Sequence, residues 1–364
     1  MERILLLGPA PSGKGGVCVW VGMVLKYIME HPGLVEVDLL DTSRSVSLSH
    51  LLPTYKRLFF AVRDYLGVLL RFGKCLKGMK YDIVHISSSG GEGILRDWLF
   101  VTIARLFKVR CIVHYHCGTI PKTLKVNGIK SSFLKNVARN SDIIVLDQAS
   151  YEAFRPIASG GVYKIGNAYN AIIDTLYDNS FKRNPNYILF VGHLVHQKGV
   201  RELISALHEI PNIHLACYGV ENESVKDELL QYIRQNGFKG KVDFMGLRSP
   251  ETIYAEMCKA GMFVLPTYTE GFPFVIVEAM AAGCPIISTP VGAIEEMLSY
   301  NGELQGYLVQ PGNADELKSV IEKCLESYGE MIVKAESARE KAKLLYSTDA
   351  IMEQLITLWK KNSL

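Results

Sequence analysis

Two glutamates and the turn between them carry the sharpest chemical signal in this 364-residue chain. Glu270 and Glu278 stand eight apart in PTYTEGFPFVIVEAMAAGCPIISTPVG, Pro266 to Gly292, where Gly271, Phe272 and Pro273 make a turn and an apolar helix is expected from about Phe274. A loop entering a helix presents backbone N–H groups that no earlier carbonyl accepts, together with the positive end of the helix dipole, and this suits a diphosphate. A carboxylate one turn into that helix is placed for ribose hydroxyls. A second phosphate-type signal lies at the other end of the chain. GPAPSGKGG, Gly8 to Gly16, follows the apolar run ILLL and fits G-x-x-x-x-G-K, but Gly15 stands where a P-loop needs the hydroxyl that holds Mg²⁺. Each glycine of GKGG also costs about 1 kcal/mol in a helix. The run IIVLD ending at Asp147 is of Walker B type and keeps a nucleoside triphosphatase among the alternatives. His114 and His116 share one face of CIVHYH, with His85 and Cys117 as further metal-ligand types, yet no carboxylate or cysteine pair completes a metal site. Packing is the plainer reading for His114, and His85 either packs or lines a cleft.

These residues need a scaffold, and the hydrophobic pattern supplies one. Short apolar runs (RILLL, VEVDLL, DIVHIS, RCIVHYH, DIIVL, VYKIG, then YILFVG, IHLACYG, KVDFMG, MFVLP, PIIST, GYLV) alternate with longer segments of helical period. Strands apolar on both faces and separated by helices imply parallel sheets covered on both sides. The polar stretch DNSFKRNPN, Asp178 to Asn186, interrupts the alternation, which then restarts. The chain is therefore expected to be α/β, with two doubly wound Rossmann-like domains facing across a cleft: 1–180, 181–345, and a C-terminal helix in 346–364 packing back on the first. The eight cysteines are scattered without C-x-x-C, so neither a disulfide framework nor a zinc ribbon is expected. With no leader or membrane span evident, the expected location is the cytoplasm.

Charge is uneven. Residues 1–180 hold 22 Lys and Arg against 14 Asp and Glu, whereas the remainder holds 18 against 23. Seven of the basic residues fall in Lys56–Lys80, KRLFFAVRDYLGVLLRFGKCLKGMK, beside a single acid, Asp64. Phe59, Val62, Leu66, Leu69, Leu70 and Leu76 are expected on one helical face, with Lys56, Arg63, Arg71 and Lys74 away from it. A solvated basic face on a core helix is one reading, and peripheral contact with anionic membrane at its inner face is the other. Nucleic acid is not an expected partner, since no recognised binding motif accompanies the patch.

With EGFPFVIVEAMAAGCPIIST around them, the two glutamates resemble the E-x7-E signature of retaining GT-B glycosyltransferases, in particular glycosyltransferase family four. ILFVGHLVHQKGVRELISAL and VDFMGLRSPETIYAEMCKAGMFVLPTYTEG resemble the family segments that precede it, so the likeness is strong over about 187–298. APSGKGGV, DIVHIS, VHYHCG and NAYNAI occupy the expected places in the first half. The resemblance implies transfer of a sugar from a UDP- or GDP-sugar donor to a glycan or lipid-linked acceptor in polysaccharide or lipopolysaccharide biosynthesis, with retention and without a metal or other cofactor. It implies catalytic roles for His116, Lys198 and Glu270, with Glu278 on the ribose. Donor contacts are implied for Gly15, Gly16, Gly192, His193, Lys198, Gly271, Phe272 and Pro273, and Lys14 would add charge to the opening loop. His193 stands where the family has an arginine, which leaves diphosphate neutralisation to Lys198, with His196 able to share it. The alternatives are a sugar-nucleotide epimerase on the same scaffold and a non-catalytic nucleotide-sugar binding protein.

Overall fold

The computed structural model describes residues 1–13, 15–43, 54–78, 80–126, 128–177 and 182–361, the side chains of 54–62 excepted. The chain divides into two units, Met1–Gly166 with Ile351–Leu364, and Asn167–Ala350.

The first unit is built on six parallel strands: β1 Arg3–Gly8, β2 Glu36–Asp41, β3 Ile83–Ser88, β4 Arg110–Tyr115, β5 Asp142–Val145 and β6 Val162–Lys164, in the order β2-β1-β3-β4-β5-β6. Its inner strands are covered on both faces, every residue of β3 being buried, whereas the edge strands β2 and β6 stay partly exposed. Trp20, Trp359, Tyr115, Phe72, Phe100 and Phe154 are its largest fully buried side chains. The last of the chain belongs here. The helix Thr348–Lys360 brings Trp359 into this core, where its indole Nε1 donates to His85 Nδ1 at 3.1 Å. Arg110 forms an ion pair with Asp142 at 2.7 Å and donates to the Leu358 carbonyl at 2.9 Å, a cation at a helix C-terminus.

The second unit repeats the architecture with β7 Asn184–Val191, β8 His214–Tyr218, β9 Lys241–Gly246, β10 Ala260–Leu265, β11 Ile286–Ser288, a small antiparallel pair β12 Ser299–Tyr300 and β13 Glu303–Leu304, and β14 Tyr307–Leu308. The main sheet runs β14-β11-β10-β7-β8-β9, all parallel. Strand order reverses at β7, which lies between β8 and β10, so the crevice beyond the carboxyl ends of β7 and β10 is the topological switch point. Three of the covering helices start on side-chain caps: Asn222 accepts from Val225 N, Ser249 from Thr252 N and Asn313 from Glu316 N.

Two expectations need correcting. The division falls at Gly166/Asn167, ahead of Asp178–Asn186, of which residues 178–181 lie outside the described part. Residues 167–177 belong to the second unit because they are bonded into it: Asn167 Nδ2 donates to Phe272 O at 2.9 Å, Tyr169 N to Tyr346 O at 3.0 Å. In the helix Thr54–Gly78 the buried face is Val68, Phe72 and Leu76, while Leu66 and Leu70 are 55% and 68% exposed. The segment YLGVLLRFGKCL is apolar on nearly every side, so its period fits more than one face. Phe59, Val62 and Lys56 fall where side chains are not described.

Candidate functional site

Two loops at the switch point of the second sheet bring the key residues together. The loop after β7 ends in a short 3-10 turn, His196–Lys198, and Gly199, whose φ of 72° begins the helix Val200–Leu207. A side-chain carbon on Gly199 would lie 2.0 Å from the Pro266 carbonyl oxygen, so only glycine lets this loop pack against the one after β10. Tyr268 N and Thr267 Oγ1 both donate to the Gln197 carbonyl, at 2.9 and 3.0 Å. Across this seam Lys198 Nζ meets Glu270 Oε1 at 2.5 Å, with the two side chains 26% and 12% exposed. Gly192, one loop residue past β7, lies beside the Lys198 stem.

The turn Glu270–Pro273 is held from both sides. Ala293 N donates to the Gly271 carbonyl at 2.8 Å, and Asn167 Nδ2 to that of Phe272. Gly292, at φ 59°, passes so near the Glu270 carbonyl that a side-chain carbon would sit 2.5 Å from its oxygen. The helix Phe274–Ala281 follows, capped by Pro273 without a side-chain acceptor. Its first N–H groups have no carbonyl one turn earlier within the helix, leaving the dipole's positive end toward the turn. Glu278 projects one turn further in. Tyr254, from the helix Pro250–Lys259, donates to Glu278 Oε1 at 3.2 Å and is also hydrogen-bonded to the Asn170 side chain. Glu278 is partly accessible but packed closely enough that burial pushes its carboxyl up to about 7, the Tyr254 hydrogen bond pulling the other way.

His193 is exposed on the same loop. His196 does not turn toward Lys198. Its Nε2 lies 3.3 Å from Glu228, whose other oxygen takes Arg201 at 3.1 Å, so its partner is a carboxylate on the helix Glu223–Asn236.

Gly15, Gly16 and His116 belong to the first unit. Gly15 has φ 114° with open space around it and precedes the helix Gly16–Glu30, which starts without a side-chain cap. Lys14 lies outside the described residues. Asp147, the Walker B-type acid, is buried with both oxygens engaged by Ser150, N–H and hydroxyl, each at 2.8 Å, so it serves as a helix cap. His116, His114 and His85 form a packed stack with Trp20: His114 and His116 rings are 3.9 Å apart, and Trp20 lies 4.9, 5.0 and 5.4 Å from His114, His116 and His85. Burial keeps all three imidazoles neutral, lowering His85 and His116 to about 3 and His114 well below its ordinary value. Ser87 Oγ reaches His116 Nε2 at 3.4 Å. Among the described residues no three His, Cys, Asp or Glu side chains are grouped as metal ligands, and no helix is long and apolar enough to cross a membrane.

Tyr254, Asn170 and Trp359 were not singled out from the sequence. Asn170 and Tyr254 fall inside segments that carry the family resemblance but had no role of their own there, and Trp359 sits in an amphipathic helix where a tryptophan reads as ordinary packing.

Residues 175–344 match the family model described as glycosyl transferases group 1. The chain is 31% identical over 174 residues to the uncharacterized glycosyltransferase MJ1607 of Methanocaldococcus jannaschii, covering 48% of this chain and 44% of that one. It is 32% identical over 186 residues to the capsular polysaccharide biosynthesis glycosyltransferase CapM of Staphylococcus aureus, covering 48% and 46%. The match thus spans less than half the length of these curated relatives. Among solved structures, Anabaena HepE in complex with UDP superposes with a TM-score of 0.72 at 20% identity, covering 99% of this chain and 100% of the other. At that identity the likeness concerns the fold, which is GT-B.

Proposed function

We propose that the protein is a retaining glycosyltransferase that moves a sugar from a UDP- or GDP-linked donor to the hydroxyl of a glycan or lipid-linked acceptor, a reading supported by the match of residues 175–344 to the family model described as glycosyl transferases group 1. The observation that carries this reading is the Lys198–Glu270 contact at the switch point, beside the open N-terminus of the helix bearing Glu278. A diphosphate placed there draws Lys198 from its carboxylate partner and accepts from the first helical N–H groups, which stabilise charge as it develops on the leaving group. Glu278 takes the ribose hydroxyls. Glu270, released from Lys198, faces the donor sugar.

In the reaction the bond from the anomeric carbon to the phosphate oxygen breaks and a bond to the acceptor oxygen forms on the same face. The acceptor proton passes to the departing phosphate. The parts of Gly15, Gly16, Gly192, His193 and His116 rest on the family resemblance. Support for a nucleotide-sugar comes from the UDP in the HepE structure, and support for a polysaccharide product from the name of CapM. Peripheral membrane contact through the helix Thr54–Gly78 belongs to the same proposal, with the exposed Leu66 and Leu70 now part of the surface offered.

The test is a donor-consumption assay with UDP- and GDP-sugars, with and without acceptor glycans, on wild type, Lys198→Ala and Glu270→Ala. Losing a group that stabilises transition-state charge costs about 10²–10³ in turnover, and melting temperatures should show both variants folded. Full activity in either variant would sink the mechanism. Donor isomerisation without acceptor would point to an epimerase, and nucleotide binding without turnover to a non-catalytic binder.

A further inference from the structure

His116 sits where the neighbouring strands β3 and β4 end. In their parallel register Ser87 pairs with His114, so Ser87 shares one side of the sheet with His114 and with the His116 ring stacked on it. The backbone is pinned first. His116 N–H donates to the Ser88 carbonyl at 2.7 Å. Ser88 is fixed in turn: its hydroxyl donates to Asp97, fully buried on the first turn of the helix Ile94–Leu106, and accepts from Gly90 N–H at 3.0 Å. The other Asp97 oxygen takes Arg96 Nη2 at 3.1 Å, which pairs a carboxylate that burial would otherwise make costly.

The ring is then confined. It lies 3.9 Å from the His114 ring and 5.0 Å from that of Trp20, and its Nε2 is 3.4 Å from Ser87 Oγ. Ser87 is buried and borders the end of β1, where a side-chain carbon on Gly8 would lie 3.5 Å from its Cβ. Nδ1 of His116 is buried without a hydrogen-bond partner, so the polar exchange of this ring passes through Nε2.

A neutral imidazole carries one proton, on either nitrogen. On Nδ1 of His116 it would be a buried donor with no acceptor, the rarer of the two defects in folded proteins. On Nε2 it points at Ser87 Oγ, and only a lone pair on Nδ1 goes unmet. The serine hydroxyl therefore decides the tautomer. At 3.4 Å the contact is long for a hydrogen bond, so it orients the proton and leaves it free to be taken over by a closer oxygen.

We propose that Ser87 is a positioning residue, which holds His116 with its proton on Nε2 so that the imidazole meets the substrate as a hydrogen-bond donor. This rests on the transferase reading above, in which His116 takes part in the transfer.

The full chain, carrying ¹⁵N-labelled histidine, is followed at neutral pH by long-range proton–nitrogen correlation NMR, which tells a protonated ring nitrogen from a bare one; His116→Gln identifies the His116 signals. Wild type should show His116 protonated at Nε2 and bare at Nδ1. Ser87→Ala should move the proton to Nδ1 or leave the two forms exchanging, and Ser87→Thr, which keeps the hydroxyl, should restore it. In sugar transfer Ser87→Ala should lower kcat about tenfold while the donor KM stays within about twofold, with Ser87→Thr recovering most of the loss. Melting temperature and UDP binding are the controls and should not move. A proton on Nδ1 in wild type, or an unchanged tautomer in Ser87→Ala, overturns the proposal. So does an unaltered kcat in Ser87→Ala once its tautomer has moved, and the transferase reading then stands. If the tautomer responds as stated and wild type consumes neither UDP- nor GDP-sugar, the hold of Ser87 on His116 stands and the transferase reading fails.

Discussion

Glu278 offers a prediction in which function and stability pull in opposite directions. Its carboxyl is raised to about 7 by burial, yet a carboxylate that accepts ribose hydroxyls must be ionised to accept from both. If only the ionised form binds nucleotide, the apparent Kd is multiplied by one plus the ratio of protonated to ionised carboxyl. With a pKa of about 7, affinity should tighten about tenfold between pH 6 and pH 8, roughly 1.4 kcal/mol. At pH 7 binding should release about half a proton from this group. Calorimetric titration with UDP at pH 6, 7 and 8, in two buffers of different ionisation enthalpy, reads both quantities. Glu278→Gln supplies the baseline, since the diphosphate titrates in both proteins and only the wild type adds the carboxyl. Stability runs the other way. Between pH 4.5 and about 7 the folded chain retains a proton that the unfolded chain has released, so stability falls as pH rises through that window. The deficit is complete above pH 7 at roughly 3 kcal/mol. Glu278→Gln should therefore bind nucleotide weakly and yet melt later than wild type at pH 8, with little difference at pH 4.5. Equal pH slopes of UDP affinity in the two proteins would refute the placement of Glu278 on the ribose.

Tyr254→Phe removes the hydrogen bond that favours the ionised Glu278 and should move the pH midpoint of nucleotide affinity upward by about one unit, a hydrogen bond to a charged group being worth about 1.5–3 kcal/mol; weaker binding with an unmoved midpoint would reduce Tyr254 to a packing residue. On the helix Thr54–Gly78, Lys74→Ser with Lys77→Ser should reduce co-sedimentation with phosphatidylserine vesicles by roughly 2 kcal/mol, about thirtyfold, and Leu66→Ser with Leu70→Ser should reduce it further. Vesicle binding unchanged in all four would leave that surface simply solvated.

The architecture was legible because its strands are short, apolar on both faces and closed by glycine or polar residues, a pattern that few other arrangements satisfy. The local layout of the second unit's candidate site was legible for a different reason: a turn, a helix start and two carboxylates fall within nine consecutive residues, Glu270 to Glu278, so local geometry fixes their relation. What depended on distant packing was not. Lys198 meets Glu270 across 72 residues of sequence, Tyr254 reaches Glu278 from another helix, and His196 is drawn off by Glu228. The exposed leucines of Thr54–Gly78 fall outside the expected face because Leu66, Val68, Leu69, Leu70, Phe72 and Leu76 together are more apolar positions than one helical face holds, and the sheet takes only Val68, Phe72 and Leu76. Asp97 gave no sign of its burial, since an Arg–Asp pair near a helix start reads as surface charge until Ser88 and Gly90 are seen beneath it.

Trp359 reaching His85 has a consequence for how the chain is made. The second unit is continuous in sequence and is completed as it leaves the ribosome, but the first is interrupted by residues 167–350 and is finished only by what comes after them. At about 5–20 residues per second, its β-sheet must wait roughly 10 to 40 s for the helix that supplies Trp359. Throughout that interval His85 lacks its Trp359 partner, and a nascent chain arrested before residue 351 should present this half to chaperones as unfinished.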